Sequence, residues 1–398
     1  MTLSTRTSLV LHEWERREVT LAPETVEALQ LEFRAALRVL ALGGGRYQLR
    51  ARARVGTIVV PNLELHIRPK CGLHNLFWML AWVYGIAEHY TELIEIEEIE
   101  DLREFLLCIL TERIELLLRR GLRRGYVEQT DELPVLRGRL DVERHIRRGP
   151  AAGLSLPCRF EEYTADLAFN QVIAFTLRSV GTSNHSLLAA RLRRLRGALG
   201  HLERRRFVSA DFDKFEYDRL TQDYRPIHAL CRILLDATGG EQNQGALPIG
   251  SLLVNMNGLF EQFIGTWLDA HLREPWSVRG QLTRRLDVGG ELFVRPDLIL
   301  YENGRPMLVA DTKYKMGTEG IPAREDAYQA LAYCRALRVR TCVLLYPDRA
   351  GLRRFEISDR ENVLASDGLE LAQPIEAIEA SMVALAARLV GEVAQARR

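Results

Sequence analysis

RPDLILYENGRPMLVADTKYK, running from Arg295 to Lys315, is the stretch from which the fold is best read. Two apolar arms flank Asn303-Gly304, a dipeptide suited to a two-residue hairpin turn. Side chains alternate along a strand, so Asp311 and Lys313 share one face with Val309, while Leu308 and Ala310 lie on the other. Asp297 sits on the first arm. Perfect pairing around the turn sets Asp297 opposite Ala310, facing away from Asp311. If both acids serve one site, the hairpin must carry an odd-length loop or a β-bulge, involving Gly304 or one of Pro296 and Pro306.

The residue types explain why one site is expected. Two carboxylates offer hard oxygen ligands to Mg²⁺. The metal polarises a phosphoryl oxygen and activates water, and a nearby lysine balances charge in the transition state. The chain has 54 basic residues, of which only Lys70, Lys214, Lys313 and Lys315 are lysine. Two of the four fall here, where a compact point charge is chemically distinct from a planar guanidinium. The competing reading is an ion pair on an exposed sheet edge. Gln329 and Tyr333 stand one helical turn apart. Gln329 is a candidate to hold a water or phosphate oxygen, and Tyr333 to stack on or hydrogen-bond DNA. Glu261, at the border of an apolar helical stripe, is either a third metal carboxylate or a solvated side chain.

Working outward, 398 residues with 47% hydrophobic and 27% charged content describe an ordinary globular chain of two or three domains. The net charge of +1 announces no nucleic acid globally, so any DNA contact must be local. No apolar run is long enough for a membrane span, and the first residues lack a signal-peptide pattern. Six cysteines without a CxxC pair read as reduced thiols of a cytoplasmic protein. The nine histidines show no ligand spacing. There is no GxxxxGK[ST], so nucleotide hydrolysis by a P-loop is excluded.

The fold class expected is mixed α/β, with a β-rich module over residues 1–160, a helical middle over 161–240 and an α/β domain over 241–398. Helices are predicted over Thr25–Leu40, Leu73–Ala87, 101–120, 186–200, 222–238, Leu252–His271, Ala323–Leu337 and 373–395. A helix within 162–180 is expected to be capped by Thr164 or Asp166. Strands are predicted over Arg46–Val60, Leu63–Ile67, Thr341–Tyr346 and Arg353–Ile357. Residues 239–250, GGEQNQGALPIG, read as a linker. Arg119, Arg120, Arg123 and Arg124 read either as a solvated helix end or as a phosphate- or partner-binding patch. Arg137-Gly138-Arg139 reads as a tight turn.

Asp297…Asp311-Thr312-Lys313, with Pro296, resembles the PD-(D/E)xK nuclease signature. Gln329 to Tyr333 looks like the QxxxY element of its RecB-like branch. With Ile67-Arg68-Pro69-Lys70, Leu136-Arg137-Gly138-Arg139-Leu140-Asp141 and Tyr346-Pro347, the chain resembles McrC, the nuclease subunit of McrBC modification-dependent restriction systems. The resemblance implies a restriction-endonuclease-like C-terminal domain that cuts double-stranded DNA with Mg²⁺, Mn²⁺ being a substitute. It also implies an N-terminal region that engages and stimulates an McrB-like AAA+ GTPase hexamer, with Arg137 and Arg139 as candidate contacts. Asp297 and Asp311 would hold metal and Lys313 would assist catalysis. A stand-alone RecB-like nuclease and a non-catalytic regulator of an AAA+ ring remain open at this point.

Overall fold

Alternating apolar and charged residues build a β module from the start of the chain. The computed structural model describes residues 7–89, 101–148, 155–183, 185–238, 251–280, 282–315, 321–348, 351–358 and 361–396. Strands β1 (Thr7–His12) and β2 (Arg16–Thr20) lead into helix α1 (Pro23–Glu32). Strands β3 (Leu37–Gly43), β4 (Arg46–Ala51), β5 (Arg54–Val60) and β6 (Leu63–Arg68) follow, then helix α2 (Leu73–Val83). The helix predicted to Leu40 therefore stops at Glu32. Leu37 onward pairs antiparallel with β4, so its backbone groups find partners across a ladder rather than along a helix. The run Arg46–Val60 is two strands, broken after Ala51. The order in one sheet is β2-β4-β3, and β1 and β5 flank β6 in another.

Helix α3 (Leu102–Arg120) follows, with strands β7 (Gly125–Leu133) and β8 (Arg139–Leu140), helix α4 (Val142–Arg148) and strand β9 (Leu156–Thr164). Helices α5 (Ala168–Ser179), α6 (Ser186–Ala198) and α7 (Tyr224–Thr238) come next. Residues up to Thr164 belong to β9, and α5 starts after Leu167, without a side-chain cap from Thr164 or Asp166. Asp166 instead accepts from the Gln171 amide and the Glu203 backbone. Two arginines of the cluster at the end of α3 have structural partners. Arg120 pairs with Asp223 at 2.5 Å, and Arg123 lies 4.6 Å over the Phe169 ring. Arg137 stacks 4.0 Å over Phe160, and Gly138 has φ +68° with no room for a Cβ against Arg159 O.

The remaining elements are β10 (Leu252–Asn255), α8 (Met256–His271), β11 (Trp276–Gly280), β12 (Arg284–Arg285), β13 (Phe293–Val294), β14 (Leu298–Glu302) and β15 (Arg305–Thr312). Then come α9 (Arg324–Leu337), β16 (Thr341–Tyr346), β17 (Arg353–Glu356), β18 (Val363–Gly368) and α10 (Ile375–Ala396). Residues 252–255, expected as the start of a helix, are a strand paired antiparallel with β5. Gly56 makes that pairing possible: at φ +131° a Cβ there would lie 2.1 Å from Leu252 O. The proposed linker 239–250 lies outside the described residues.

This pairing has a consequence for domain organisation. One compact unit comprises Met1–Phe105 with Ala237–Arg398, and the other is Leu106–Asp236. The division is discontinuous because β10 completes the N-terminal sheet, unlike the three consecutive stretches read from sequence. A six-stranded sheet of order β11-β14-β15-β16-β18-β17 carries the conspicuous hairpin. β15 and β16 run parallel, as do β16 and β18. Strand β15 is internal, and its continuous apolar run is what a strand covered on both faces requires. Helix α9 packs Ala330, Tyr333, Cys334 and Leu337 against Ile299, Val309, Cys342 and Leu344.

Candidate active site

Asn303 and Gly304 have φ of +49° and +76°, as a two-residue hairpin turn needs. Glu302 pairs with Arg305 and Tyr301 with Pro306. The register then shifts, and Leu300 pairs with Leu308. Met307, beside Pro306, is the extra residue of a β-bulge. Beyond it Leu298 faces Ala310, so one further step along the ladder brings Asp297 opposite Asp311. The expected register shift is present, next to one of the prolines singled out.

Asp297 and Asp311 follow Ile299 and Val309 on the face that packs against α9. Asp297 Oδ2 accepts from the Thr312 backbone N–H at 2.8 Å and the Thr312 hydroxyl at 2.7 Å. Asp311 is 1% exposed, inside the sheet rather than on an edge. Lys313 Nζ lies 2.5 Å from Asp311 Oδ2 and donates to Gln329 Oε1 at 2.9 Å. The Gln329 amide donates to the Tyr333 hydroxyl at 2.6 Å, which donates to Arg295 O at 3.4 Å. A continuous polar chain thus links the lysine to the residue where the first arm begins. Tyr333 is 3% exposed, and its hydroxyl holds Gln329, which holds Lys313. Lys315 reaches α9 as well, with Nζ 2.9 Å from both oxygens of buried Asp326.

Burial, and then the negative charge of Asp297, pushes the Asp311 carboxyl up to about 6, against the pull of Lys313. Burial works to lower the Lys313 ammonium, yet Asp311, Asp326 and Asp297 together carry it above its ordinary value. Burial, reinforced by both acids, raises the Tyr333 hydroxyl and keeps it a neutral donor.

Glu261 lines a cleft of about 560 Å³ whose wall includes Asp297, Gln262, Asp269 and Gly280. Among the described residues no three His, Cys, Asp or Glu side chains come together as a metal cluster, so Glu261 does not join Asp297 and Asp311 in one. Two carboxylates still fit Mg²⁺, which keeps several waters and takes only one or two protein carboxylates beside substrate phosphates. Asp311 Oδ2 is buried without a well-directed hydrogen bond beyond its lysine ion pair, leaving lone-pair capacity for a cation.

Glu13 was not visible as part of this region from sequence. It is 1% exposed, and its Oε2 accepts from the Tyr314 hydroxyl and the Lys70 N–H, each at 3.0 Å. It therefore ties β1's end to the residue after Lys313, across 301 positions that carry no local signal. Desolvation by burial pushes the Glu13 carboxyl up to about 7 from 4.5. Between those pH values the folded chain holds a proton that the unfolded chain has lost. Stability from this group is therefore full below about pH 4.5 and falls by about 3 kcal/mol as pH rises through 7. Urea denaturation at pH 5 and pH 8 should show that drop in the parent chain and a much smaller one in Glu13→Gln. Equal pH dependence in both would remove the assignment.

The chain is similar to known proteins in sequence and in fold. Its residues 49–347 match the family model described as McrBC 5-methylcytosine restriction system component. A curated relative, the type IV methyl-directed restriction enzyme EcoKMcrBC of Escherichia coli (strain K12), is 22% identical over 317 residues, covering 73% of this chain and 90% of the relative. A chain of the Thermococcus gammatolerans assembly of McrB AAA+ hexamers with bound McrC shares its fold. The TM-score is 0.66 at 19% identity, over 95% of this chain and 99% of that one. The resemblance to McrC read from the motifs thus stands on a match to three quarters of the chain, and the protein belongs to the McrBC 5-methylcytosine restriction system component family.

Proposed function

We propose that this chain is the DNA-cutting subunit of a modification-dependent restriction system, a PD-(D/E)xK endonuclease that hydrolyses phosphodiesters of double-stranded DNA. The observation that carries the reading is the bulge at Met307, which turns Asp297 and Asp311 onto one face beside Lys313. The bulge sits beside Pro306, and beyond it the two acids come opposite each other. Asp297 and Asp311 would hold Mg²⁺, with Mn²⁺ as substitute, while Glu261 stands on the cleft wall. When bound, the cation supplies Lewis acidity toward a phosphoryl oxygen. The chain's own residues orient and balance charge. Lys313 places a positive charge at the reacting phosphate, and Gln329, braced by Tyr333, fixes its ammonium.

The partner in this reading is an AAA+ GTPase hexamer whose hydrolysis the chain stimulates. It is supported by the chain's similarity to a member of an assembly of McrB AAA+ hexamers with bound McrC. The absence of a P-loop from the sequence fits a subunit that relies on another chain's motor. Six free cysteines fit a cytoplasmic setting. The test is cleavage of methylated duplex DNA by the chain together with its GTPase. Cutting is expected with Mg²⁺ and GTP and is expected to stop on chelation. Cutting that persists in excess chelator would overturn the metal-dependent reading.

A further inference from the structure

Residues Arg50, Arg52 and Arg54 follow one another at two-residue steps, with Ala51 and Ala53 buried between them. Arg50 lies near the end of β4, Arg52 in the break and Arg54 at the start of β5, and all three line a cleft of about 480 Å³ together with Arg38, Trp14 and Asn255. No acidic residue is found in that described lining. The sheet register makes the charge density sharper. Arg50 pairs directly with Arg16 on one neighbouring strand and with Arg38 on the other. Like charges set opposite each other across strands are destabilising. Among the described residues, Arg38, Arg50 and Arg52 have no carboxylate partner to relieve this. Trp14 adds two further features. Its backbone is left-handed at φ +66°, a conformation costly for a bulky residue. Its indole N–H is buried without an acceptor.

The cleft therefore concentrates donors and positive charge in a lining without an acidic residue. We infer that this arginine cleft binds the phosphodiester backbone of duplex DNA, away from the acidic site, and holds the substrate in position on the chain. The inference rests on the proposed nuclease reading for the identity of the polyanion. The row suits a phosphate backbone better than a single phosphate. Arg forks are also suited to paired donation toward phosphate oxygens.

The experiment measures binding of the full chain to an unmodified duplex in chelator, where cutting is off, as a function of salt. The variant Arg38→Gln/Arg50→Gln/Arg52→Gln should lower the slope of log K against log salt by about 2 to 3, since each lost phosphate contact removes about 0.9. Arg52→Gln alone, exposed and between strands, should lower it by about 1. Thermal unfolding of the triple variant without DNA should occur no lower than in the parent, because the substitutions relieve repulsion. An unchanged slope in both variants overturns the inference. So does loss of GTPase-ring binding with DNA binding intact, which would make the cleft a protein contact. A lowered unfolding temperature with an unchanged slope in Arg52→Gln assigns the arginines to folding and likewise overturns it. The two readings fail separately. A chain that binds through these arginines yet never cuts contradicts the nuclease reading alone, whereas a chain that cuts with an unmoved slope contradicts this one alone.

Discussion

Asp311→Asn is expected to reduce DNA cleavage by on the order of 10³-fold or more, while leaving the fold and GTPase stimulation intact. Asparagine matches the buried aspartate in size, so the 1% exposed site is not emptied. It removes the negative charge on which the proposed cation site depends. It also removes a desolvated carboxyl that burial and Asp297 already push up to about 6, so stability at pH 8 should be equal or higher. Lys313→Met should lower cleavage comparably, with its loss of positive charge partly absorbed by protonation of Asp311. Lys313→Arg is not a rescue, since a planar fork cannot occupy the position 2.5 Å from Asp311 Oδ2 and 2.9 Å from Gln329 in the same way. Single-turnover cleavage and partner GTPase rates are the measurements. Cutting by Asp311→Asn within tenfold of the parent would sink the site assignment.

Inserting one alanine between Asp297 and Leu298 should also abolish cleavage, for a geometric reason. Residues 308–312 are held by parallel pairing with β16, from Leu308 with Thr341 to Thr312 with Leu345. The pairs from Leu298–Ala310 onward can stay as they are, so the inserted residue takes the place opposite Asp311. Asp297 is displaced by one position, and a one-residue slip sends its side chain to the other face. Its bonds to the Thr312 backbone and hydroxyl are lost with it. Deleting Met307 is the contrasting variant. The pairs Glu302–Arg305 and Tyr301–Pro306 are then followed directly by Leu300–Leu308, which leaves Asp297 opposite Asp311 in a regular ladder, so cutting should survive. Undiminished cleavage by the insertion variant would show that the alignment of the two acids does not serve the site.

Much of this region could be read from the chain because its determinants are local. Asn303-Gly304 specifies a turn through two positive φ values. The six residues Thr341–Tyr346 form the strand that their pattern implied. The period of two along a strand made a register shift necessary for the two acids to share a face. Helix α9 also followed from periodicity, which placed Gln329 beside Tyr333. The role of Tyr333 did not follow. Periodicity records that one face of a helix is covered, and only the packing against Ile299 and Val309 shows that Tyr333 lies beneath that cover.

What the sequence by itself determined was which residues are the candidates for the chemistry, and that their hairpin had to be irregular if both acids share one face. The tertiary structure decided where the strands found partners. Leu252–Asn255 is apolar enough for either a helix or a strand, and β5 resolves the choice by supplying a ladder from about 200 positions away. The same long-range closure brings Glu13 under Tyr314, sets Arg16, Arg50 and Arg38 side by side and leaves Leu106–Asp236 as an inserted unit. A strand's hydrogen bonds are made with another segment, so nothing in its own residues names that segment. Asp297 and Asp311 escaped this limit because a turn of two residues ties their strands together.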